Sequence, residues 1–100
     1  MEVRFRTNSL RDCYASTKKA TLAWGSTIGR LYIRRVNALY TARDHRTLGA
    51  LAQLRFHALS GDRKGQYAIV LDKAWRLIVT FGNDQFTIVT VEEVTDHHGD

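Results

Sequence analysis

The links in the second half of this chain are too short to carry a crossover. Apolar-rich runs at about residues 54–59, 66–72, 74–81 and 85–93 are separated by little more than Gly-Asp-Arg-Lys-Gly, Asp-Lys and Gly-Asn-Asp. A parallel neighbour needs a return path of about a dozen residues, so these runs must pair as antiparallel hairpins. The first half is patterned differently. Ser9 is placed to cap a helix, with Asp12 three residues on. Leu10, Cys13, Tyr14, Thr17, Thr21 and Trp24 give that helix one inward stripe, and Gly25 ends it. Ser26 opens a second helix to about Ala42, with Ile28, Tyr32, Val36, Leu39 and Tyr40 inward and Arg30, Arg34 and Arg35 toward water. So short a link folds the two helices into an antiparallel hairpin. The alternating stretch Met1 to Phe5 reads as an edge strand, and residues 45–53 as one short helical turn leading into the sheet. The expected architecture is α+β: a two-helix N-terminal hairpin packed on one face of a mainly antiparallel four- to five-stranded sheet. Residues 1–100 are read as one domain.

Strand parity then sorts the side chains. Trp75, Leu77, Val79 and Phe81 share one face and should meet the helices, whereas Arg76, Ile78 and Thr80 share the other. In the run 54–59, Leu54, Phe56 and Ala58 alternate with Arg55, His57 and Leu59. Parity therefore sends Arg55, His57 and Arg76 away from the core, onto an open, concave, basic face. Between two of these strands the Ser-Gly-Asp-Arg-Lys-Gly loop presents Arg63 and Lys64, with Gly61 and Gly65 letting the backbone turn. His57 and Tyr67 on the flanking strands can move protons or stack on bases.

Charge points the same way. Residues 1–64 carry 13 Lys/Arg against 4 Asp/Glu, a balance of +9, while residues 65–100 carry 2 against 6, or −4. Eleven of the 15 cations are Arg, whose planar fork suits phosphate and stacks on bases. Nucleic acid or an acidic protein is the partner this favours. The single cysteine, Cys13, excludes an internal disulfide and fits a buried packing thiol in a reducing compartment. No apolar run approaches the roughly 20 residues of a membrane span, and the opening MEVRFRT is too charged for a signal peptide. The expectation is a soluble, cytoplasmic protein without a membrane partner.

Cutting RNA without a metal needs a base for the 2′-OH proton, cations for the phosphorane charge and an acid for the leaving 5′-oxygen. His57, Asp96, His97 and His98 can carry protons, and Arg55, Arg63, Lys64 and Arg76 can hold phosphate. Two other readings use the same residues. Asp96, His97, His98 and His57 could ligate zinc, although adjacent His97 and His98 point apart in an extended chain and no His-x-x-x-His or Cys-x-x-Cys pair exists. A basic module could also bind RNA and do no chemistry. The loop lacks the lysine-hydroxyl spacing of a P-loop, and there is no nucleophile elbow for a serine hydrolase. No cofactor is expected.

Three segments in order, HALSGDRKGQY (57–67), WRL (75–77) and VEEVTDHHGD (91–100), resemble the HigB branch of the RelE/ParE toxin superfamily, and the likeness spans nearly the whole chain. The resemblance implies the toxin half of a bacterial toxin–antitoxin pair that cuts messenger RNA on the ribosome. It implies a cleavage role for His57, a scissile-phosphate role for Arg76, and a site completed by Asp96, His97 and His98. It further implies that Arg30 and Arg34, with Arg55, Arg63, Lys64 and Tyr67, bind RNA or the small ribosomal subunit. The implied partners are a helix-turn-helix antitoxin of the HigA kind, the ribosome with its message, and operator DNA only through the antitoxin. Ala58 and Ser60 stand where the family commonly has Pro and Lys, and His97-His98 where a tyrosine is usual. The alternative within the superfamily is a binding-only protein, directed at DNA gyrase or catalytically decayed and acting through an antitoxin and operon complex.

Overall fold

A computed structural model describes residues 1–96, so His97 and His98 lie outside the described residues. The chain runs β1 (Glu2–Phe5), α1 (Asn8–Ala15), α2 (Thr17–Trp24), α3 (Ser26–Thr41), α4 (His45–Ala50), β2 (His57–Ala58), β3 (Tyr67–Val70), β4 (Arg76–Phe81) and β5 (Ile88–Thr95). The five strands form one sheet in the order β1-β5-β4-β3-β2. β2 to β5 are antiparallel neighbours, as their short links require. β1 instead pairs in parallel with β5, a pairing reached only because the helices and most of the sheet intervene. The expected α+β class and mainly antiparallel sheet are therefore what the chain adopts.

Element boundaries depart from the sequence pattern in instructive ways. The first helix is capped by Thr7, whose hydroxyl accepts from the Leu10 amide at 3.1 Å, not by Ser9, which lies inside it. The stripe expected to run unbroken to Trp24 is interrupted at Ser16, where the backbone is extended (φ −142°, ψ 112°). The Ser16 hydroxyl then caps α2 by accepting from the Lys19 amide, an arrangement that stabilises a helix start by about 1 kcal/mol. Thr17 consequently faces solvent and Ala20 becomes fully buried. α2 and α3 approach so closely that a Cβ on Gly29 would lie 2.9 Å from the Ala20 carbonyl carbon. Tyr40, expected inside, is 45% exposed and stacks on Tyr14 at the surface. Arg35, expected in water, is half-buried and donates from Nε to the Val70 carbonyl at 3.3 Å.

The main core lies between the helices and one sheet face. Ile28, Tyr32, Val36 and Leu39 meet Leu77, Val79, Val89 and Val91 there. Tyr32 is fully buried and its hydroxyl donates to the Leu10 carbonyl at 2.7 Å, tying α1 to α3. Cys13 is 4% exposed, and burial pushes its thiol up, away from the reactive thiolate. Asp44 caps α4 by accepting from the Arg46 amide, and its hydrogen bond to the Arg46 side chain holds its carboxyl near a pKa of about 2. Among the described residues, no helix is long and apolar enough to cross a membrane.

Candidate functional site

The sheet face turned away from the helices carries a small second core of its own. Leu59, Ala68 and Ile78 are buried together there. Leu59 anchors the start of the β2–β3 loop on this face, while most of the loop itself is exposed. A Leu59 amide bond to the Gln66 carbonyl (2.9 Å) closes it, and Gly61 (φ +63°) and Gly65 (φ +95°) supply the left-handed turns. The strand expected over 54–59 shrinks to His57–Ala58. Leu54 ends a 3-10 turn, and Arg55 is left-handed (φ 46°, ψ 43°), outside the strand and exposed.

Register places the rest. His57 pairs with Ala68, Ala68 with Ile78, and Ile78 with Glu93, so these four side chains form one row on the outward face. The next row is Val70, Arg76 and Thr95, with Asp96 exposed one residue beyond. At about 4.8 Å per strand and 3.3 Å per residue, the Cα atoms of His57 and Arg76 lie roughly 12 Å apart, within reach of side chains converging on one phosphodiester. Parity correctly predicts that His57 and Arg76 leave the core; both are half-buried on the outward face.

Both side chains are oriented by backbone carbonyls. His57 Nδ1 lies 2.7 Å from the Arg55 carbonyl oxygen. A carbonyl can only accept, so Nδ1 carries the proton and the neutral ring's lone pair sits on Nε2. Arg76 donates from Nη1 to the carbonyls of Lys73 (2.6 Å) and Trp75 (3.0 Å). Its Nε is buried and has no hydrogen-bond partner among the described residues. A buried unpaired donor costs about 1–3 kcal/mol.

The face is less basic than the sequence predicts, because two acids join it. A bulge between Ile78 and Val79 makes Glu92 an extra residue in β5. Glu92 accepts from the Thr80 hydroxyl at 2.7 Å, and Glu93 pairs with Arg63 at 3.5 Å. Arg63 also donates to the Gln66 side chain at 3.0 Å, so this loop cation is committed to the protein surface, while Lys64 is exposed. Sequence reading overlooked both glutamates, although two consecutive acids in an otherwise alternating VTVEEV strand are a bulge signal.

Three expected nucleic-acid contacts fall elsewhere. Tyr67 pairs with Ala58, not with His57, and so points to the helical side. Its ring stacks on Phe56 (centroids 5.2 Å apart) and, with Phe81, Phe86 and Asp84, lines a hollow of about 440 Å³ at the end of the sheet. Arg30 and Arg34 are exposed on α3, in the helical layer. The structure therefore brings His57, Arg63 and Arg76 to one face, leaves Asp96 one residue past the end of β5, and leaves Tyr67, Arg30 and Arg34 off that face. Among the described residues, no three His, Cys, Asp or Glu side chains cluster as metal ligands.

The chain shares this fold with a protein of known structure. The structure is similar to a YoeB/ParE toxin from Agrobacterium tumefaciens, with a TM-score of 0.57 and 15% sequence identity over 98% of this chain and 100% of that one. No protein-family model matches the sequence. No curated protein matches it either.

Proposed function

We propose that this protein is the toxin of a two-gene toxin–antitoxin system and that it cuts messenger RNA on the ribosome without a metal. The observation that carries the reading is the placement on one sheet face of His57, with Nδ1 against the Arg55 carbonyl, and Arg76, with Nη1 held by the turn carbonyls. The toxin fold supports the wider class. In this scheme His57 Nε2 takes the 2′-OH proton of the substrate. The 2′-oxygen attacks the adjacent phosphorus, Arg76 stabilises the pentavalent phosphate, and the 5′-oxygen leaves with a proton from the tail group Asp96, His97 or His98. Lys64 adds a phosphate contact in place of the cation absent at Ser60.

The remaining assignments follow from the same reading. Arg30 and Arg34 on α3 contact the small ribosomal subunit electrostatically, so binding weakens with salt. A HigA-type helix-turn-helix antitoxin silences the protein and brings it to operator DNA, and the protein works in the bacterial cytoplasm. Induction in growing bacteria followed by mapping of message 5′ ends tests this. We expect new ends confined to translated regions, and none with Arg76→Ala. Growth arrest with intact messages and broken chromosomal DNA would identify a gyrase-directed toxin instead.

A further inference from the structure

Among the described residues, three non-glycine residues adopt left-handed backbone: Arg55 (φ 46°), Lys73 (φ 50°) and Phe86 (φ 56°). A Cβ crowds the following carbonyl there, so glycine, or failing that asparagine, is the ordinary occupant. Two of the three direct their carbonyls at the two side chains of the proposed chemistry. Arg55 ends a 3-10 turn with its amide bonded to the Ala52 carbonyl at 3.1 Å, and its own carbonyl receives His57 Nδ1 at 2.7 Å. Lys73, in the turn between β3 and β4, receives Arg76 Nη1 at 2.6 Å. The Arg55 and Lys73 side chains are exposed and make no hydrogen bond or ion pair among the described residues.

We infer that Arg55 and Lys73 are positioning residues whose left-handed backbone, not their positive charge, sets the tautomer of His57 and the aim of Arg76. The inference rests on the proposed role of those two side chains. It changes how Arg55 is understood: its cation becomes secondary to its carbonyl. In an ordinary extended strand, the Arg55 carbonyl would point toward a neighbouring strand, and Nδ1 would lose the acceptor that fixes the proton. The Lys73 carbonyl likewise holds one guanidinium nitrogen back against the turn, which fixes the direction in which the rest of the guanidinium points.

Paired substitutions separate backbone from charge. Arg55→Asn and Lys73→Asn remove the cation but keep a residue that tolerates the left-handed region, whereas Arg55→Val and Lys73→Val remove the same cation and resist that region. On ribosome-bound message we expect each Asn variant to keep kcat. Its KM should rise by no more than one phosphate contact, with the salt slope falling by about one. Each Val variant should lose about 10- to 100-fold in kcat at unchanged KM. Equal losses in the Asn and Val variants, carried by KM, would show that the charges matter and overturn the inference.

A second readout needs no activity. Nitrogen-15 NMR of the neutral His57 ring should report a protonated Nδ1 in the wild type and in Arg55→Asn, and a proton shifted toward Nε2 in Arg55→Val. The Arg76 Nη resonances should be split in the wild type and in Lys73→Asn, and averaged in Lys73→Val. A wild-type His57 protonated on Nε2 overturns the inference even if the Val variants do not fold. A wild type that cuts no message, yet shows these NMR patterns, refutes the proposed function and leaves the positioning role standing.

Discussion

Arg76 sits in two environments at once. Nη1 is committed to the carbonyls of Lys73 and Trp75, while Nε is buried without an acceptor among the described residues. Truncation to Ala should therefore lower kcat on ribosome-bound message by about 10²- to 10³-fold, the range for loss of a group that stabilises transition-state charge. Stability should fall by only about 1–2 kcal/mol, because two bonds to the turn go but no cavity opens in the main core. Arg76→Lys should rescue little, since an ammonium cannot hold the turn and an oxyanion in one plane. Kinetics alongside thermal unfolding check this; an Ala variant inactive because it is unfolded would refute it. Residue placement was legible wherever strand alternation alone decides it, as for His57 and Arg76. Tyr67 was not legible. Its face depends on whether His57 pairs with residue 67 or 68, and a one-residue slip in register reverses every side chain. The loop sets that register through buried Leu59, and Leu59 is one apolar residue among many in the sequence.

At the scale of elements, two glycines in helices should answer oppositely to the same substitution. Gly29 sits where α2 and α3 touch, and an added Cβ would press on the Ala20 backbone, which cannot rotate away as a side chain would. Overpacking of this kind costs about 1–3 kcal/mol, while Ala over Gly in a helix returns about 1 kcal/mol. Gly29→Ala should therefore be net destabilising. Gly49 in α4 has nothing within 4 Å of an added Cβ. Gly49→Ala should stabilise by roughly 0.5–1 kcal/mol, or several degrees in Tm for a domain of this size. Thermal unfolding of the two variants tests the α2–α3 packing; a Tm that rises for both would contradict it. The existence and order of the elements were legible from apolar period and link length. The break at Ser16 was not, because apolar residues on either side of it keep helical spacing. Only the hydroxyl that caps α2 marks the new start.

Across the whole molecule, the basic excess is separated from the sheet face that carries His57 and Arg76. The basic excess of residues 1–64 is spread largely over the helical layer, where Arg30 and Arg34 are exposed. The outward sheet face carries Arg63 and Arg76 together with Glu92 and Glu93. A uniformly basic catalytic face was expected because the bulge that adds the glutamates is a property of pairing, invisible in either strand alone. The separation fits a protein that docks through one layer and reacts on another, so that the isolated site is slow until the ribosome aligns the message. The most direct measurement compares ribosome-bound messages that carry either a ribose or a 2′-deoxyribose at the cut nucleotide, with magnesium held at the level the ribosome needs. The account predicts cleavage of the ribose message to a 2′,3′-cyclic phosphate end, far faster than cleavage of naked RNA, and no cutting of the 2′-deoxy message. Efficient cutting of the 2′-deoxy message, or activity lost to a zinc chelator and restored by zinc, would contradict it.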